Sequence, residues 1–179
     1  PAESAALARD RQLVILDTMA LKPRLQITTP EPLSAVNLSA DASLVAGLDA
    51  TPALRVWDAR SGLLQHTLPL DVSREGCLMF PAADAPRVAL DCLNGKVFIA
   101  DMRSGELLKV SENDPVSLMV MDRGELLLAD PSGRVERWSP GGTQRLVRQY
   151  PYAVRYMLPV SNSRKIVLGY DRVVDVWDP

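Results

Sequence analysis

The strongest constraint in this sequence is a motif that recurs five times with a period of about 40 residues. Leu54-Arg55-Val56-Trp57-Asp58-Ala59-Arg60-Ser61-Gly62 and Val97-Phe98-Ile99-Ala100-Asp101-Met102-Arg103-Ser104-Gly105 share an apolar stretch followed by Asp-x-Arg-Ser-Gly. Val135-Glu136-Arg137-Trp138-Ser139-Pro140-Gly141-Gly142 is a looser copy, Val173-Val174-Asp175-Val176-Trp177-Asp178 a fourth, and Leu13-Val14-Ile15-Leu16-Asp17 a degraded first. The anchors Asp17, Asp58, Asp101, Ser139 and Asp178 lie 41, 43, 38 and 39 residues apart. Copies in register at this spacing predict like units stacked side by side, each long enough for four short strands.

Each copy reads as a strand, a tight turn and a second strand. The Asp accepts backbone hydrogen bonds at the turn, and Gly62 or Gly105 takes a left-handed position that a Cβ would penalise. The strand before the turn is nearly all apolar, as expected where both faces are covered. Upstream lies another turn rich in Asp, Asn, Gly or Pro: Asp49 to Pro52, Asn94-Gly95, Asp130 to Gly133, and Asp171. A further apolar strand precedes it, as in Leu44-Val45-Ala46-Gly47-Leu48. Capped stretches of helical period are absent, so the expected class is all-β, built from four-stranded antiparallel units.

These residues resemble the WD40 family of β-propellers. Asn37-Leu38-Ser39-Ala40-Asp41 is similar to the family's Phe-Ser-Pro-Asp-Gly turn between its first two strands, and Trp57-Asp58 and Trp177-Asp178 match its Trp-Asp dipeptide. The likeness covers nearly the whole chain and is clearest over 33–70. The family's Gly-His dipeptide is missing, and the only histidine, His66, falls on a fourth strand. The family's His–Ser/Thr–Asp–Trp tetrad therefore cannot form in full, and divergent quinoprotein or haem-type propellers share this level of likeness. The resemblance implies one region over 1–179, with a partial blade at 1–29 and blades at about 32–70, 77–110 and 115–149. An incomplete blade at 153–179 follows. About four and a half repeats are expected to form an arc of a larger propeller. In the alternative, a small closed ring, the strand at 21–28 supplies the outer strand missing from the last blade. Trp57, Asp58, Gly62, Asp101, Gly105, Trp138, Trp177 and Asp178 are the structural repeat residues, with the three tryptophans expected in blade packing.

The remaining chemistry points away from catalysis. Hydrophobic residues make up 47% of the chain and charged residues 23%, a globular balance, and a net charge of −2 gives no reason to expect nucleic acid or a membrane surface as partner. No apolar run approaches the ~20 residues of a membrane helix. Pro1-Ala2-Glu3-Ser4 shows no basic and apolar leader, so a cytoplasmic location is the expectation. His66 is the sole candidate base for a nucleophilic triad, and its neighbours suggest an outer strand edge instead. The turn aspartates lack the spacing of a calcium loop, and no Cys/His cluster exists for zinc. No metal, cofactor or catalytic residue is expected. Cys77 and Cys92 fall on adjacent strands of one blade; a cross-strand disulfide is conceivable, and two buried free thiols are the more ordinary expectation.

The expected role is a non-catalytic scaffold that binds a protein or peptide partner, because rigid strands carry variable loops where binding groups sit. The alternative is the propeller portion of a redox or hydrolytic enzyme whose catalytic groups lie outside this chain. In a WD40 ring, the loops before each blade's first strand and between its second and third strands share one face. Here that face would collect Glu31, Thr51, Arg74, Glu75, Asn94, Glu112, Asn113, Ser132 and Arg172, with Tyr150, Pro151 and Tyr152 flanked by Arg148 and Arg155. Arg and Tyr are enriched at interface hot spots, so Tyr150, Pro151, Tyr152, Arg172, Asn94 and Glu112 are the candidate partner contacts. Strand edges left unpaired at either end of the arc add an expectation of self-association.

Overall fold

A computed structural model describes residues 4–72, 76–93, 95–111, 118–122, 124–160, 163 and 165–178, and among these there are strands and turns but no helix. The first sheet contains β1 (Ser4–Arg9), β2 (Gln12–Asp17) and β3 (Lys22–Thr28). The second contains β4 (Leu33–Leu38), β5 (Leu44–Asp49), β6 (Ala53–Asp58) and β7 (Leu64–Pro69). The third is β8 (Cys77–Pro81), β9 (Arg87–Cys92), β10 (Val97–Asp101) and β11 (Leu107–Ser111). β12 (Leu118–Asp122), β13 (Glu125–Ala129), β14 (Arg134–Trp138) and β15 (Gln144–Gln149) form the fourth. β16 (Val154–Pro159), β17 (Ile166–Tyr170) and β18 (Val173–Trp177) form the last. Every sheet is an antiparallel meander in chain order, as in the blades of a β-propeller.

Local chemistry sets the turns. Asp58 Oδ1 accepts hydrogen bonds from the backbone N–H groups of Arg60 and Ser61 and from the Ser61 hydroxyl, and Asp101 Oδ1 accepts the equivalent pair from Arg103 and Ser104. Gly62 and Gly105 both sit at φ 76°, closing the hairpin. In the first copy Asp17 makes the same bonds, but Leu21 stands where the others have Gly and is held at φ 50°. The Asp49 carboxylate is buried, accepting from Thr51 and Ala53 N–H while its other oxygen lies 2.6 Å from Arg55 Nε. Burial pushes its pKa up, but the hydrogen bonds from Thr51, Arg55 and Ala53 outweigh that and hold it below the usual range.

The apolar second and third strands face neighbours on both sides. Ala46, Leu48, Leu54 and Val56 of the second sheet pack against Val88, Leu90, Phe98 and Ala100 of the third. Leu13, Ile15 and Ile27 pack against Val45 and Trp57; Val97 and Ile99 against Leu126 and Leu128; Leu127 and Val135 against Met157, Ile166 and Leu168. The five sheets thus stack as an open arc of blades.

Ser4–Arg9, which no copy of the repeat marks, adds a strand to the partial blade by pairing with β2 in register Ala6↔Ile15. Two expectations change. β3 pairs with β2 in the first sheet and not with the last blade, so the small closed ring does not form. Cys77 and Cys92 are not free thiols: they stand directly opposite across β8 and β9, with Cα atoms 4.0 Å apart, and are joined as a disulfide. Direct opposition in a tight antiparallel pair brings two Cβ atoms within bonding reach, which sequence separation alone cannot reveal.

Candidate functional site

On the face that gathers the β3–β4, β7–β8, β15–β16 and β5–β6 connections, the backbone is held by specific contacts. The 150–152 segment runs directly over the β13–β14 turn. Tyr150 N–H donates to Gly133 O at 2.8 Å, and Gln149 Nε2 donates to Ser132 O at 2.9 Å. Gly133 is at φ 84°, and a Cβ there would stand 2.6 Å from the Tyr150 carbonyl, so only glycine lets the two loops touch.

The two tyrosines of this segment divide in role. Tyr150 is 3% exposed, its ring 4.7 Å from that of Tyr170 and its hydroxyl 3.2 Å from Asp175. Arg148 covers the ring at 5.4 Å and pairs with Asp175 at 3.2 Å, tying the fourth sheet to the fifth. Burial, opposed by the Arg148 charge and reinforced by Asp175, pushes the Tyr150 hydroxyl up to about 12. Tyr152, by contrast, is 58% exposed, and Pro151 and Arg172 are also exposed on this face. Arg74, Glu75, Asn94, Glu112 and Asn113 lie outside the described residues.

A cleft of about 470 Å³ opens between the second and third sheets on the same face. Glu31 and Thr51, both expected here, line it together with Leu48, Pro52, Val72 and Cys77. The Asp49 carboxylate fixes its 50–53 wall, and the disulfide fixes the opposite wall by tying the start of β8 to the end of β9. Lys96 adds a second tie, with Nζ 2.9 Å from Asp71 Oδ2. The result is a firm apolar-floored notch with hydroxyl and carboxylate groups at its rim.

The opposite face holds more than the short turns suggest. Clefts of about 360 and 410 Å³ lie there, lined by Arg87, Asp101, Glu106 and Leu108 in one and by Arg24, Asp41 and Arg60 in the other. Arg103 crosses from the third sheet to Asp41 of the second at 3.1 Å. The sequence carried a signal for this ion pair in the turn arginine of the second Asp-x-Arg-Ser-Gly copy. His66 belongs to the packing: its Nε2 is 3.1 Å from Arg103 O, and its ring lies where a Cβ on Gly105 would fall. Among the described residues, no three His, Cys, Asp or Glu side chains converge as metal donors, and no helix is long and apolar enough to cross a membrane.

No protein-family model matches this sequence, and no curated protein matches it. Solved structures do share its fold. The computationally designed Ika8 protein is 13% identical with a TM-score of 0.68, over 99% of this chain and 56% of its own. The β-propeller domain of Cps50 (Swd1) from Myceliophteria thermophila is 12% identical with a TM-score of 0.61, over 98% of this chain and 63% of its own. The chain therefore spans less than two thirds of the length of both these structures. At these identities the likeness establishes the propeller fold and carries nothing of binding or activity.

Proposed function

We propose that this β-propeller arc is a non-catalytic scaffold of WD40 type that holds a protein or peptide partner across the face bearing Glu31, Thr51 and Tyr152. The supporting observation is the cleft of about 470 Å³ with a disulfide and a bonded buried carboxylate in its walls. Walls fixed in advance lower the ordering cost of binding, and the rim offers hydrogen bonds to an extended peptide. Tyr152 supplies an exposed aromatic on the same face, while Tyr150 and Arg148 act beneath it by fixing the loop that carries it. The Trp57-Asp58 and Trp177-Asp178 dipeptides support the WD40 assignment. The disulfide favours an oxidising compartment over the cytoplasmic location expected from the sequence.

The test is peptide display against the purified chain, followed by affinity measurement on the best sequence. Tyr152→Ala and Thr51→Arg should each weaken binding by about tenfold or more, the scale of a contact worth 1.4 kcal/mol. Arg60→Ala and Arg103→Ala, on the opposite face, should leave affinity unchanged. The reverse pattern moves the partner to the other side of the arc and overturns the proposal.

A further inference from the structure

The Cys77–Cys92 bond presents its two sulfurs unequally. Ala82 N–H donates to Arg87 O at 2.9 Å and Leu93 N–H to Gly76 O at 3.3 Å, so hydrogen-bonded pairs alternate along β8 and β9. The cysteines therefore occupy a non-hydrogen-bonded pair, where cross-strand side chains stand nearest to each other. Cys92 lies on an interior strand, between β8 and β10, and its N–H is tied to Lys96 O at 2.9 Å. It is 2% exposed, within the apolar cluster that holds Leu48, Leu90 and Phe98. Cys77 begins β8, which pairs with β9 alone, and it is partly exposed in the wall of the cleft of about 470 Å³.

A thiolate displaces one sulfur of a disulfide by reaching the other, so access decides which is attacked. Of this pair, only Cys77 lines the cleft. Glu31 lines it too, held at the rim by the Thr29 hydroxyl, which donates to its backbone carbonyl at 2.7 Å. The Glu31 carboxylate has no ion pair among the described residues, whereas Asp49, the other acid of the lining, is engaged by Arg55. The cleft thus sets one reachable sulfur and one uncompensated negative charge around an apolar floor of Leu48, Pro52 and Val72. A small thiol that carries a positive charge matches both.

We propose that Cys77 is a thiol-exchange site that takes a small aminothiol as a mixed disulfide. The aminothiol's thiolate attacks Cys77 Sγ, and the new S–S bond forms as the Cys77–Cys92 bond breaks. The electron pair leaves on Cys92 Sγ, which takes up a proton from water. The incoming sulfur is oxidised to the disulfide level and Cys92 is reduced to the thiol, so no further oxidant is required. When the small thiol is removed, Cys92 displaces the adduct and restores the original bond, which makes the modification reversible. The fold persists meanwhile, because β8 stays paired to β9 along Leu78 to Pro81. Resting on the partner reading above, the adduct also closes the cleft to a peptide, since it occupies the space over Leu48 and Pro52.

Cysteamine is the probe. After incubation of the folded wild-type chain, acid quenching and alkylation, peptide mapping should find cysteamine on Cys77 and the alkyl group on Cys92 of the same molecule. An adduct shared equally by both cysteines overturns the proposal, as does a bond that resists cysteamine until urea unfolds the chain. Cys92→Ala and Cys77→Ala lose the same bond, so any loss of stability is common to both. With an aromatic disulfide reagent, the thiol left in Cys92→Ala should react at least about tenfold faster than the thiol left in Cys77→Ala. Equal rates overturn the assignment to Cys77. Glu31→Gln should lower the cysteamine adduct about threefold, the scale of one screened charge, and leave that of neutral mercaptoethanol unchanged. An equal effect on the two thiols overturns the aminothiol class. A peptide selected by display should bind the cysteamine-loaded chain about tenfold more weakly. A Cys77 adduct that leaves this affinity unchanged overturns the closing of the cleft. If no peptide binds the unmodified chain, the partner reading falls and the closing with it, while the exchange site stands or falls on the mapping alone.

Discussion

Breaking the Cys77–Cys92 bond should lower stability by about 3 kcal/mol, the chain-entropy value for cross-linking residues separated by 15 positions. The native state loses little on reduction. Cys92 is buried among Leu90, Phe98 and Met102, and β8 remains paired to β9 along Leu78 to Pro81, so the thiols stay where the sulfurs were. The effect falls on the unfolded chain, which regains the freedom of the intervening loop. In a domain of this size, each kcal/mol moves the melting midpoint by about 2–4 °C, which gives a drop of about 6–12 °C. Thermal melts followed by circular dichroism, with and without a dithiol reductant, measure it directly. The Cys77→Ser, Cys92→Ala double variant should reproduce the drop and be indifferent to reductant. A midpoint that moves by less than about 2 °C in both experiments refutes the entropic reasoning, since that corresponds to 1 kcal/mol or less.

Trp57→Ala should cost about 3–5 kcal/mol in urea unfolding, because the indole is buried between the first two sheets. Leu21→Gly should stabilise by about 1 kcal/mol in the same assay, relieving a left-handed backbone at an exposed turn. Gly133→Ala should destabilise by about 1–3 kcal/mol, since its Cβ would press on the Tyr150 carbonyl at a positive φ. Acid titration should show stability falling as pH drops from 3.8 towards about 2. Asp41, held down by the Ser39 hydroxyl and then by Ser43, is stabilising in its ionised form, and that contribution is lost as it takes up a proton. Asp91 acts in the opposite sense, because burial raises its pKa and its protonation favours the folded state. At the alkaline end, the raised Tyr150 hydroxyl contributes stability below 10.0 that disappears as pH climbs to about 12, which phenolate absorbance and circular dichroism would follow together.

The blade turns were legible because their chemistry is local: an Asp whose carboxylate meets two following N–H groups and a Gly at positive φ leave a fixed spacing in the sequence. β1 was not, because Ser4-Ala5-Ala6-Leu7-Ala8-Arg9 has none of the β-branched residues that mark a strand, and it is extended only because β2 offers it a partner. The disulfide depended on register, which two cysteines cannot reveal. Tyr150 and Tyr152 are separated by one proline, and the sequence gives both the same description. Only the Arg148–Asp175 pair and the Tyr170 ring, brought in from the next sheet, decide that one turns inward and the other outward.

Stacking the sheets face to face, each against its immediate neighbours, makes the molecule a linear series of couplings. Its stability is then approximately the sum of intrinsic sheet terms and nearest-neighbour terms, as in other repeat proteins. A lesion in an outer sheet weakens one coupling, and a lesion in the third weakens two. Amide exchange should accordingly be slowest in β9 and β10 and quicken toward β1 and β18, and opening should proceed inward from the ends. The face proposed for partner binding lies on the second to fifth sheets, with its cleft where the second meets the third across the largest apolar cluster. A ligand seated in that cleft bridges two units of the series, so its binding would be felt as cooperativity between sheets that otherwise unfold in sequence.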